Sequence, residues 1–130
     1  MQLKIYFAHS KDFDFINEFY SPIENSETLK NNTLLFPHKL SIDSRNGREF
    51  YRDLDLIIAE VTYPATGIGM ELAWAFDDGI PIYCFHRMGI KPSSSLLSVT
   101  SDITEYISVE DLVAQVEKIA SNININKRKM

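Results

Sequence analysis

The segment Asp55 to Val61, "DLIIAEV", restricts the fold more than any other part of the chain. A strand with one wet face alternates apolar and polar residues. A near-continuous apolar run is buried on both faces, the pattern of parallel sheets covered by helices on either side. "IPIYCFH" (Ile80 to His86) repeats the pattern. "LKIYFAH" (Leu3 to His9) and "TLLFPH" (Thr33 to His38) are β-rich, and "TEYI" reads as a short edge strand.

Helical segments separate these runs. After Ser10, "KDFDFINEFY" sets Phe13, Ile16, Phe19 and Tyr20 on one face, and Ser21-Pro22 interrupts it. "IENSETLKNN" reads as an irregular helix and "KLSIDSRNG" as a loop. "REFYRDL" is a short helix, and a longer one is expected from about Ile68 to Asp78, stopped by Gly79. Ser108 caps "VEDLVAQVEKIA", where Val109, Leu112, Val113, Val116 and Ile119 form an amphipathic stripe. The order predicts an α/β three-layer sandwich with a mainly parallel, flavodoxin/Rossmann-like sheet of about five strands. Residues 1–121 form one domain, and the polar tail 122–130 reads as disordered.

Such sheets bind ligands at the carboxyl ends of their strands. The loops after His9, His38, Val61 and His86 all open on that edge. Net charge is −5, which leaves no basic footprint for nucleic acid. No segment approaches about 18 consecutive apolar residues, so no membrane span is expected. A single cysteine, Cys84, cannot form an intramolecular disulfide; it reads as a small buried hydrophobe and fits a reducing, cytoplasmic setting. His9, His38 and His86 show no metal-binding spacing.

The loop "TYPATGIGMELAWAF" (Thr62 to Phe76) joins the most apolar strand to a helix. Pro64 fixes the backbone, Gly67 and Gly69 permit close approach or strained dihedrals, and Thr66 reads as the N-cap. The helix start could then hold an anion or a sugar hydroxyl. Glu71, expected in the first turn, has two readings. It is a carboxylate favoured by the helix dipole, or a nucleophile at the ligand edge that attacks a sugar carbon.

The block "DLIIAEVTYPATGIGMELAWAFDDGIPIYCF" resembles the signature of the nucleoside 2-deoxyribosyltransferase superfamily. It is particularly similar to the 2′-deoxynucleoside 5′-phosphate N-hydrolase branch. "IYFAHS" and "TLLFPH" extend the resemblance, which spans most of Leu3 to Leu97. The resemblance implies that Glu71 forms a covalent glycosyl-enzyme intermediate at C1′, positioned by Tyr6. Ser10, Ala65, Thr66 and Ser95 would correspond to phosphate contacts, with Ser95 donated by a neighbouring subunit, and His38 would line the nucleotide pocket. It implies a small-molecule nucleoside or nucleotide substrate, a homo-oligomer with shared sites, and neither metal nor cofactor.

The branch carries its general acid/base eight residues before the Asp that opens the strand. That position is Gly47 here; Asp43 is the nearest substitute, with Glu49 behind it. In place of the branch's serine in the glycine loop stands Ala65, and the first loop carries Asp12 and Asp14. Three readings follow: an N-glycosidase or deoxyribosyltransferase, a nucleotide-binding module without the acid/base, and a flavodoxin-like domain with another chemistry.

Overall fold

A computed structural model of the chain describes residues 2–40 and 48–129, the last six as backbone only. Five strands, β1 (Lys4–His9), β2 (Thr33–Leu35), β3 (Leu56–Glu60), β4 (Ile82–Arg87) and β5 (Ile103–Tyr106), form one sheet in the order β2-β1-β3-β4-β5. Every pairing is parallel, with Tyr6 opposite Ile57 and His9 opposite Glu60. The α/β fold expected from the two apolar runs is therefore present.

Alternation across the sheet divides the core into two layers. Ile5, Phe7, Leu56, Ile58 and Phe85 face one side, against Phe19, Tyr20, Leu112 and Val116. Tyr6, Ala8, Ile57, Ala59 and Cys84 face the other, against Tyr51, Ile68, Leu72 and Ala75. All five residues of β3 are buried, which is what its composition requires. Cys84 lies fully inside; burial, aided by Asp102, pushes its thiol up to about 12, so it packs as a hydrophobe.

The helices are α1 (Ser21–Glu24), α2 (Glu49–Arg52), α3 (Thr66–Asp77) and α4 (Val109–Lys129). Three details differ from expectation. Ser21-Pro22 does not interrupt the first helix; a π-helical turn at Ile16–Tyr20 runs into α1, with the Ser21 N–H donating to the Ile16 carbonyl. The wider turn accommodates a proline that cannot donate. The segment after it holds only a 3₁₀ turn, Leu29–Asn31. The last helix continues through residues 122–129, and Ile123 packing on the core carries it past Ala120. No described helix is long and apolar enough to cross a membrane.

The third helix ends as the sequence predicts. Gly79 has φ +72°, its N–H donates to the Phe76 carbonyl at 3.2 Å, and that of Ile80 to Ala75 at 2.9 Å. This is the Schellman arrangement, with Ala75 and Ile80 sharing the core layer.

Candidate active site

The order β2-β1-β3 makes the β1/β3 border the switch point of the sheet, where a crevice opens beyond the strand ends. A cleft of about 610 Å³ lies there, bounded by Tyr6, His9, Ser10, His38, Tyr51 and Glu71, with Lys11, Asp12, Ala65, Gly67 and Trp74 around it. Glu71 points into it rather than out from the helix.

Helical phase explains that orientation. Ile68, Leu72 and Ala75 form the buried stripe of α3. Gly67, Glu71 and Trp74, at the same four-then-three spacing but one residue out of phase, face the cleft. The helix begins one residue earlier than Thr66 as cap would place it. Ala65, with extended backbone at φ −152° and ψ 141°, is the N-cap and has no side chain to cap with; Thr66 is the first helical residue. Glu71 accordingly sits in the second turn, and no acid stands in the first. Gly67 and Gly69 are helical residues without positive φ, so strained dihedrals are not their role. A Cβ at either would meet nothing within 4 Å.

The Glu71 carboxylate is held by two phenols on one oxygen. The Tyr6 hydroxyl donates to Oε2, and the Tyr51 hydroxyl donates to the same atom at 2.9 Å. The two rings meet edge to face at 5.4 Å, and Tyr51 lies 5.4 Å from Trp74. Burial, then the adjacent Glu71 charge, raises the Tyr6 phenol far above its ordinary value, so it remains a donor. Charge-assisted bonds of this kind favour the ionised carboxylate.

A second network fixes the opposite wall. His9 Nδ1 lies 2.7 Å from the Ser10 carbonyl and Nε2 lies 2.5 Å from the Tyr20 hydroxyl, which also accepts the His38 N–H at 3.2 Å. The pattern assigns the proton to Nδ1, with Tyr20 donating to Nε2. The His38 ring lies 5.4 Å from His9 and 4.8 Å from Phe15. Ser10 is buried, and its hydroxyl accepts the Asp12 N–H at 3.1 Å.

Burial lowers His9 from its ordinary 6.5 to about 4, opposed by the bond to Ser10 and aided by His38. The unfolded chain binds that proton below about pH 6.5, while the folded one does so only near pH 4. His9 therefore contributes full stability above pH 6.5 and loses it as pH falls toward 4. Urea unfolding should show the advantage of wild type over His9→Gln shrinking between pH 7 and pH 5; an advantage that holds or grows contradicts the assignment.

Of the residues singled out by sequence, Tyr6, Ser10, His38, Ala65, Gly67 and Glu71 share this cleft. Gly69 and Ser95 line a separate apolar pocket of about 370 Å³ behind Pro64, Ala65 and Ile68. Thr66 lies at the helix start and lines neither pocket. Glu49 is exposed and outside the cleft, and Asp43 and Gly47 lie outside the described residues. Asp12 is the second carboxylate at the cleft among the described residues. Tyr51 and Trp74 escaped the sequence reading; the adjacent aromatics of "EFY", just before an apolar strand, were the available signal. No cluster of metal ligands occurs among the described residues.

Glu60 also escaped notice. It is 1% exposed at the carboxyl end of β3, next to β1 and β4. It accepts the Thr62 N–H at 2.7 Å, the Thr62 hydroxyl at 2.8 Å and the Tyr106 hydroxyl. The Arg87 N–H donates in turn to Thr62 Oγ1 at 3.0 Å. One carboxylate thus ties the loop entering α3 to β4 and β5.

No family model matches the chain. Over 80 residues it is 32% identical to a Methanococcoides burtonii protein named "putative 2′-deoxynucleoside 5′-phosphate N-hydrolase 1", covering 62% of this chain and 59% of that one. A Methanosarcina mazei protein of the same name is 38% identical over 65 residues, 50% of this chain and 40% of its own. The chain thus spans about half the length of the curated relatives it matches. A CMP N-glycosidase from Clostridium botulinum superposes with TM-score 0.58 at 16% identity, covering 88% of this chain and 98% of that one. A conserved protein from Enterococcus faecalis V583 superposes with TM-score 0.63, also at 16% identity, over 91% and 99%. The superpositions show a shared fold, and over roughly half of its length the chain is similar in sequence to proteins named as 2′-deoxynucleoside 5′-phosphate N-hydrolases.

Proposed function

We propose that the protein cleaves the N-glycosidic bond of a (deoxy)nucleoside or nucleoside monophosphate through a covalent intermediate on Glu71. The observation that carries this reading is the Glu71 carboxylate, aimed into the switch-point cleft and held by Tyr6 and Tyr51. A carboxylate acting as nucleophile must be ionised and must not swing. Two phenols on one of its oxygens serve both needs. The names of the Methanococcoides and Methanosarcina relatives and of the Clostridium neighbour support a nucleotide substrate.

In the first step a Glu71 oxygen bonds to C1′ and the C1′–N bond breaks, its electron pair leaving with the base, which takes a proton from a cleft acid. In the second, water attacks C1′, the ester bond breaks back to carboxylate, and the water's proton passes to the same group. A free base in place of water makes the reaction a transfer. Asp43, the substitute read from the sequence, and Asp12, at the cleft, are the candidates for the proton-transferring group. Ser10, His38, Ala65 and Gly67 line the same cleft as Glu71, which supports reading them as substrate contacts, and the open helix start supplies N–H donors. Ser95, turned to the far side of Ala65, suits a contact made in the site of a second subunit.

The test is free-base release from a panel of deoxynucleosides and deoxynucleoside monophosphates, with and without an added acceptor base. Release in water alone supports the hydrolase, and release only with acceptor supports the transferase. A nucleotide-binding module is the second reading, favoured by Gly47 where the branch has its acid. Binding with no release from any member of the panel selects it and removes the enzyme reading.

A further inference from the structure

We propose that Tyr51 is a positioning residue for the second half of the reaction: its hydroxyl makes Glu71 a better leaving group when the glycosyl-enzyme breaks down. The inference rests on the reading of Glu71 as nucleophile. Tyr51 comes from α2, an element whose four residues lie well apart in sequence from both β1 and α3. Its ring is nearly buried, packed on Tyr6, Phe50 and Trp74. The helix is anchored by Tyr51 and Leu54 in the core and by Arg48, which pairs with Asp78 at 2.9 Å at the far end of α3. That anchoring aims the hydroxyl at Oε2, 2.9 Å away, where the Tyr6 hydroxyl already donates.

One phenol would suffice to orient a carboxylate. Two on the same oxygen change the balance between the carboxylate and its ester. A phenol bonds more strongly to a charged oxygen than to a neutral ester oxygen. In the first step Glu71 loses its charge, so both donors oppose rather than assist attack. In the second step the C1′–O bond breaks, the electron pair returns to Glu71, and both donors stabilise the charge that develops. Tyr51 therefore accelerates release of the sugar and not departure of the base. A purely structural tyrosine would show no such asymmetry.

The experiment separates the two steps, using 2′-deoxynucleoside 5′-monophosphates as substrates. Single-turnover base release measures glycosylation, and intact-mass detection of the sugar adduct after quenching measures its decay. Tyr51→Phe is expected to slow adduct decay about tenfold, the loss of one hydrogen bond to a charged group. Base release in a single turnover should slow less than adduct decay, because the hydroxyl that fixes the Glu71 carboxylate also weakens its attack. Unchanged adduct decay, or base release slowed as much as decay, overturns the proposal. Tyr51→Met removes the same hydroxyl with a flexible side chain should the phenylalanine variant not fold. Base release by Glu71→Gln signals failure of the underlying reading instead; an inert Glu71→Gln with symmetric Tyr51→Phe kinetics refutes the positioning role alone.

Discussion

Glu71→Gln is expected to lower base release by about three orders of magnitude or more, with the melting temperature held within a few degrees of wild type. The loss is large because an amide oxygen cannot form the glycosyl ester, and among the described residues no other carboxylate at the cleft is held by two phenols as Glu71 is. The stability is kept because a glutamine oxygen still accepts from the Tyr6 and Tyr51 hydroxyls. Glu71→Ala is the less informative variant, since it strips an acceptor from the fully buried Tyr6. Activity of Glu71→Gln within tenfold of wild type would sink the covalent mechanism. A melting temperature lowered by ten degrees would instead make the residue structural.

The largest expected effect on stability lies at Glu60. Glu60→Ala leaves the Thr62 N–H, the Thr62 hydroxyl and the Tyr106 hydroxyl without their acceptor. Unsatisfied buried donors cost about 1–3 kcal/mol each, so a loss of about 4 kcal/mol is expected even after relaxation. For a chain of this size that corresponds to a drop in melting temperature of roughly 10 °C or more. Glu60→Gln keeps one acceptor oxygen and should cost clearly less. Burial and the bond to Glu60 raise the Tyr106 phenol, so it remains a donor throughout the neutral range. Equal melting temperatures for Glu60→Ala and wild type would show that the three donors find other partners.

The sheet was legible because its strands are written in continuous apolar runs that only burial on both faces explains. Their alternation with helices then forces parallel pairing, and parallel pairing places the ligand edge. Glu71 was legible as a residue at that edge, but its depth was not. Reading Thr66 as the cap assumed a side-chain acceptor at the helix start, whereas the extended backbone at Ala65 starts the helix without one. Tyr51 was illegible for a different reason: a four-residue helix has no period, and its hydroxyl meets a partner 20 positions away. Glu60 hid inside an apolar run, where an acid reads as the exposed end of a strand; its partner on β5, Tyr106, is met only once the sheet is assembled. Ser95 lines the second pocket and not the cleft that holds Glu71, a placement that its run of serines gave no means of reading.

The third helix serves three surroundings at once: Ile68, Leu72 and Ala75 in the core, Gly67, Glu71 and Trp74 in the cleft, and Gly69 and Ala73 in the second pocket. Each residue turns the chain by about 100°, so the surroundings are interleaved rather than consecutive. Inserting or deleting one residue between Ile68 and Glu71 would hand every later side chain to its neighbour's compartment, sending Leu72 toward solvent or Glu71 toward the hydrocarbon interior. A change of length in this stretch is therefore costlier than a change of letter. Its reading frame is kept by geometry as strictly as the gene's is kept by translation.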